Sequence, residues 1–101
     1  LAAAYAHCDA AVRGADKDRW LASLFAPAER RPDLMALYAF NLEIASVRER
    51  ASEPLPGEVR LQWWRDVLAG EARGDVLGHP VAAALTDMVA RHGLAVQPLL
   101  S

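Results

Sequence analysis

Isoleucine and threonine occur once each in these 101 residues, and apart from eight valines the chain has few of the β-branched side chains that favour strands. No apolar stretch reaches the roughly 20 residues that a membrane-crossing helix needs. Nor does the N-terminus show a basic region leading into an apolar core and a cleavage site. A single cysteine, Cys8, excludes an internal disulfide and reads as a small core residue of a reducing compartment or of a protein indifferent to redox. A formal net charge of −2 leaves no global basic field to attract nucleic acid, and no such partner is expected. There is no glycine-rich phosphate loop, no cluster of Cys and His, and no serine placed as an activated nucleophile. His7, His79 and His92 are too scattered for metal-ligand spacing.

What is present in quantity is alanine (21) and leucine (14), both strong helix formers, and the expected fold class is all-α. The length suits one small domain with a modest core, expected in the cytoplasm and at most peripheral to a membrane. The chain begins at Leu1 rather than Met, and Pro98, following the Gly93 breaker, reads as the opening turn of another helix. A piece of a longer chain is therefore expected.

The pattern predicts four or five helices. Residues 2 to 13 form the first. Asp16 and Asp18 offer caps for a short second helix through Phe25, with Trp20, Leu21, Leu24 and Phe25 on one side, and Pro27 ends it. A long third helix runs from about residue 29 to Ser52, because the first turn of a helix tolerates proline. At about 100° per residue, Leu34, Tyr38, Asn41, Ala45 and Arg48 form one line along it, with Met35, Leu42 and Glu49 alongside. Leu37, Phe40, Ile44 and Val47 widen the apolar arc, leaving a solvated strip near Ala39, Glu43, Ser46 and Arg50. A break at residues 53 to 57 precedes a fourth helix whose inner arc is Val59, Leu61, Trp63, Trp64, Val67 and Leu68, with Gln62, Arg65 and Asp66 opposite. Gly70, Gly74 and Gly78 mark a loop, and the last helix runs from Pro80 to Gly93 with Val81, Leu85, Met88, Val89 and His92 inward.

Chemistry, if any, belongs to the charged residues near the long helix: Arg30 and Arg31 at its start, and Glu43, Arg48, Glu49, Arg50 and Glu53 on its second half. Ordinary surface pairs such as Arg50 with Glu53 account for most of them. Asn41, Arg48 and Glu49 differ, because they sit beside an apolar line, and polar groups there need partners in a pocket or an interface.

The succession Leu24-Phe25-Ala26-Pro27-Ala28-Glu29-Arg30-Arg31, then Ala36-Leu37-Tyr38-Ala39-Phe40, then Trp64-Arg65 and His79-Pro80-Val81, resembles the N-terminal part of the squalene/phytoene synthases. The resemblance implies an isoprenoid synthase fold, a helical bundle around a large apolar cavity. Members join two prenyl diphosphates head to head, using two acid-rich motifs that hold Mg²⁺. Only the first would fall within this chain, which would then be the N-terminal portion of a single domain. Active members carry aspartates at the positions of Ala45 and Glu49, with another acid at Ser46 or Arg48, and hydroxyls near Asp16 to Arg19. Here Glu49 alone keeps a carboxylate, Ala45 offers no ligand, Ser46 is neutral and Arg48 is positive. The resemblance makes Glu49 the remaining metal ligand and Arg31, Tyr38, Asn41 and Arg48 the substrate contacts, while pairing of Arg31 with Asp33 or Glu29 stays open.

Phe40-Asn41-Leu42-Glu43-Ile44-Ala45 and Pro56 to Asp66 look most like a divergent branch that includes a mitochondrial complex I assembly factor and its bacterial relatives. Three functional readings follow. The first is an assembly or interaction factor for a membrane respiratory complex, without prenyl transfer. The second is a Mg²⁺-dependent prenyltransferase built on Glu49. The third is an unrelated helical interaction module. The partners implied are a prenyl diphosphate or lipid in an apolar cavity, subunits of a membrane complex, and a second copy of the chain if the cavity side is open.

Overall fold

Capping chemistry sets the helix ends. In the computed structural model, which describes residues 1–50, 54–70, 76 and 78–94, helix α1 spans Ala2–Ala15 and α2 spans Lys17–Ser23. Between them the Asp16 carboxylate accepts from the Arg19 backbone N–H at 3.2 Å, satisfying a donor that the helix itself cannot. A 3₁₀ turn at Ala28–Arg30 leads into α3, Arg31–Arg50. Helix α4 covers Pro54–Ala69 and α5 covers Pro80–His92. The all-α expectation holds, and the described residues contain no strand.

Helices α2 and α4 each differ from the sequence reading at one end. Helix α2 stops at Ser23, whose hydroxyl turns back to the Trp20 carbonyl at 2.6 Å. Leu24 and Phe25 therefore leave the helical register: Trp20 is half-buried, but Phe25 is 93 % exposed rather than clustered with it. Helix α4 begins at Pro54, inside the expected break, because prolines at its first and third positions lack only N–H groups that would have no intrahelical partner. Val59 on that helix is exposed, whereas Trp64 and Val67 are buried as expected. Helix α5 has the predicted limits, with Pro80 in its first turn and Gly93 in the left-handed region at φ +61°. The expectations for Ser52, Glu53, Gly74 and Pro98, and for the side chain of Arg50, lie outside the described residues.

α1 lies along α3 and against α5, while α3 also meets α4 and α5. The core is built from Cys8 and Val12 of α1, Met35, Ala36, Ala39 and Phe40 of α3, Trp64 and Val67 of α4, and Val81, Ala82, Ala84, Leu85 and Met88 of α5. Its many small side chains let the helix axes approach closely, and Trp64 fills the remaining volume. Cys8 is fully buried, in line with its reading as a core residue, and burial first, then the charge of Glu43, pushes its thiol up to about 11.

A polar clamp ties α1, α3 and α5 together at one end. Arg91 donates to Asp87 at 2.9 Å, to the Tyr5 hydroxyl at 2.8 Å and to Asp33, while Tyr5 donates to Asp87. His92 Nε2 lies 2.6 Å from Asp33. The expected inward position of His92 is thereby corrected: Asp33 draws it to the exposed end of α5. Burial and the hydrogen bond to Asp87 push the Tyr5 phenol up to about 12.

Candidate functional site

Helix α3 has two chemically distinct faces; Met35 and Phe40 are buried as expected, but part of the sequence reading is corrected. Ala39, expected on the solvated strip, is 1 % exposed in the core. Asn41, Ala45, Arg48 and Glu49, expected along the inner line, are exposed; Tyr38 and Ser46 are half-buried. The reason is size. Ala36 and Ala39 form the flat surface that close packing in an alanine-rich core requires, and that turns the larger polar line outward. Periodicity alone ranks a face by hydrophobicity and misses an alanine seam.

The structure brings Tyr38, Asn41, Ala45, Arg48 and Glu49 onto one side of α3, where Arg19 from α2 stacks over the Tyr38 ring at 5.1 Å. Arg31 is engaged elsewhere. Its Nε donates to the Ala26 carbonyl at 3.2 Å and its Nη2 to the Leu24 carbonyl at 3.0 Å, closing the chain just after α2. It pairs with neither Asp33 nor Glu29; Asp33 belongs to the clamp with Arg91 and His92. Mg²⁺ takes oxygen ligands in near-octahedral geometry. On this side only Glu49 supplies a carboxylate, and no group of three His, Cys, Asp or Glu side chains suited to a metal occurs among the described residues. The described side chains do not by themselves complete a Mg²⁺ site, and Glu49 supplies one carboxylate towards it.

The packed face holds a second polar constellation. Glu43 projects from the same arc as Ala36, Ala39 and Phe40, and its charge acts on both Cys8 and His79. His79 caps α5, its Nδ1 accepting from the Ala82 N–H at 3.2 Å. Trp63 and Trp64 stand around its ring at 5.3 Å and 5.4 Å, and Arg60 lies over Trp63 at 4.6 Å with its Nη2 3.1 Å from His79 Nε2. Burial, supported by the Arg60 charge and opposed by Glu43, holds the imidazole below its ordinary pKa. The sequence reading assigned Glu43 to solvent and gave Arg60 and His79 no site; the available signal was polar residues flanking the tryptophan pair.

No helix among the described residues is long and apolar enough to cross a membrane.

Residues 12–101 match the family described as Squalene/phytoene synthase. The chain is 35% identical over 94 residues to "NADH dehydrogenase (ubiquinone) complex I, assembly factor 6" of Homo sapiens, covering 93% of this chain and 28% of that protein. It is 36% identical over 94 residues to the Rattus norvegicus protein of the same name, with the same coverage. It is 38% identical over 97 residues to "Bifunctional protein CrtB/UppS" of Streptomyces coelicolor, covering 94% of this chain and 17% of that protein. The chain thus spans between a sixth and a third of the length of these relatives. No solved structure gives a significant match. The reading as an unrelated helical module falls: with nearly its whole length matched, the chain belongs to the squalene/phytoene synthase family.

Proposed function

We propose that this chain serves an assembly or interaction factor for a membrane respiratory complex, without prenyl transfer, and forms the N-terminal portion of a single synthase-like domain. The observation that carries the reading is the exposed side of α3. Where the family resemblance puts the first acid motif, this chain has Ala45, a neutral Ser46 and a positive Arg48, so a single carboxylate, Glu49, is left to meet diphosphate-bound Mg²⁺. The similarity to complex I assembly factors over 93% of the chain supports the same conclusion. Fold alone would not, because one fold hosts many functions and the site decides among them.

Two measurements test it. A prenyl diphosphate analogue should bind no more tightly with Mg²⁺ than without it, and removing the protein should lower the amount of assembled respiratory complex on native gels. Turnover of a prenyl diphosphate, or unchanged complex levels, would sink the proposal.

One observation favours a second reading, the 38% identity to the Streptomyces CrtB/UppS protein. In a prenyltransferase Glu49 would hold Mg²⁺, and Arg31, Tyr38, Asn41 and Arg48 would contact the substrate. Glu49→Ala should then abolish turnover, and full activity in that variant would exclude this alternative.

A further inference from the structure

Among the described residues, the cluster formed by α4 and the start of α5 has more hydrogen-bond donors than acceptors. A neutral imidazole offers one N–H and one lone pair. The Ala82 N–H takes the lone pair on His79 Nδ1 at 3.2 Å, so the ring proton belongs on Nε2. Yet the group 3.1 Å from Nε2 is Nη2 of Arg60, and a guanidinium has donors only. Two N–H groups face each other.

Changing the protonation state does not remove the mismatch. The other tautomer satisfies Arg60 and sets Nδ1–H against the Ala82 N–H; the imidazolium loses both acceptors and stands beside a second cation. Trp64 adds a further donor. Its ring lies edge-to-face with that of His79, and its indole N–H is buried with no partner among the described residues. Trp63 contacts both Arg60 and His79 and limits how far they can separate. Among the described residues, the charge of Glu43 reaches His79, but Glu43 hydrogen-bonds to neither partner.

We infer that a small oxyanion, a carboxylate or a phosphate, binds between Arg60 and His79, accepting from Arg60 Nη2 and from the Nε2–H of His79. Charge-assisted bonds to an anion are the stronger kind, and a planar or tetrahedral oxyanion can accept from both donors at once. The site is separate from the exposed line of Asn41, Ala45 and Arg48, because it is built on the packed side of α3 where Glu43 lies. Glu43 repels the anion and tempers its affinity.

The test follows the His79 imidazole and Trp63 indole resonances by NMR. Sodium phosphate and sodium acetate are titrated in separate arms, with ionic strength held constant by chloride. A saturable shift in at least one arm is expected, and the arm that saturates identifies the anion class. Arg60→Gln should weaken binding at least tenfold, Glu43→Gln should tighten it several-fold, and Arg65→Gln, exposed on the same helix, should leave it unchanged. Should Arg60→Gln fail to fold, Arg60→Lys still answers, since it keeps the charge and loses the forked donors, and weaker binding is again expected. Shifts that stay linear and match those in chloride mean that water alone fills the gap, and they overturn the inference. Wild-type affinity in both Arg60 variants overturns it as well.

Discussion

Placing glutamate at Ala39 and, separately, at Ala45 tests which face of α3 is packed. Both substitutions sit mid-helix and exchange the best helix former for another good one, so the propensity cost is the same few tenths of a kcal/mol and cancels in the comparison. Ala39 is 1 % exposed among Met35, Ala36 and Phe40. A glutamate there adds side-chain volume to a filled core, which costs about 1–3 kcal/mol. It also takes an unpaired carboxylate out of water, at several kcal/mol more unless it is protonated or escapes. The combined loss should exceed about 3 kcal/mol, against a total stability of about 5–15 kcal/mol for a domain of this size. Ala45 is exposed. A carboxylate there meets Glu49 at i+4 and Arg48 at i+3, a like-charge and an opposite-charge pair each worth about 0.2–0.5 kcal/mol and largely cancelling. Urea unfolding followed by far-UV circular dichroism should show a large fall in midpoint for Ala39→Glu and a shift close to zero for Ala45→Glu. Equal midpoints, or a larger loss at Ala45, would refute the assignment of the faces.

Three further outcomes are expected. His79 is held below its ordinary pKa, so the unfolded chain binds a proton that the folded chain resists, and stability present above about pH 6.5 is lost as the pH falls below it; His79→Asn, which keeps a capping oxygen but does not titrate, should flatten that part of a thermal-midpoint profile. For Asp33, burial works upward, but hydrogen bonds from Arg91 and His92 prevail and lower its pKa; hydrogen bonds from Tyr5 and Arg91 lower that of Asp87. Both therefore contribute stability that is present above about pH 4 and lost as pH drops through their folded values. Arg91→Met should remove most of this acid limb, and an unchanged acid midpoint would show that the clamp contributes nothing. Gly93 has φ +61° and open space where a Cβ would stand, so Gly93→Ala should cost about 1 kcal/mol through backbone strain alone, read as a shift of several degrees in thermal midpoint.

Helix existence was legible because composition and punctuation agree: alanine and leucine favour helix, and Asp16, Pro80 and Gly93 carry their usual capping roles. The face of α3 was not legible. Ala39 and Ala45 are the same residue to any hydrophobicity scale, yet one is buried and the other exposed. What separates them is how closely neighbouring helices can approach, a property of the partner surfaces and not of α3. The same blindness applied to Arg31. Its position at a helix start suggested either an anion contact or a pair with Asp33 or Glu29, whereas the carbonyls of Leu24 and Ala26, presented only once α2 has ended, take its guanidinium. His79 illustrates the converse, since its capping bond to Ala82 is local and could have been read from its place directly before Pro80.

The two faces of α3 also carry different constraints on change. A substitution at Met35, Ala36, Ala39 or Phe40 alters the volume of a filled core and is felt through packing by α1, α4 and α5. A substitution at Asn41, Ala45, Arg48 or Glu49 meets solvent, and away from special features such changes stay within about 0.5 kcal/mol. If the carboxylates of a synthase stand on the second face, losing them costs the fold almost nothing. An alanine at position 45 is then compatible with an intact bundle, and the scaffold can outlast its metal chemistry and serve as a surface for other proteins.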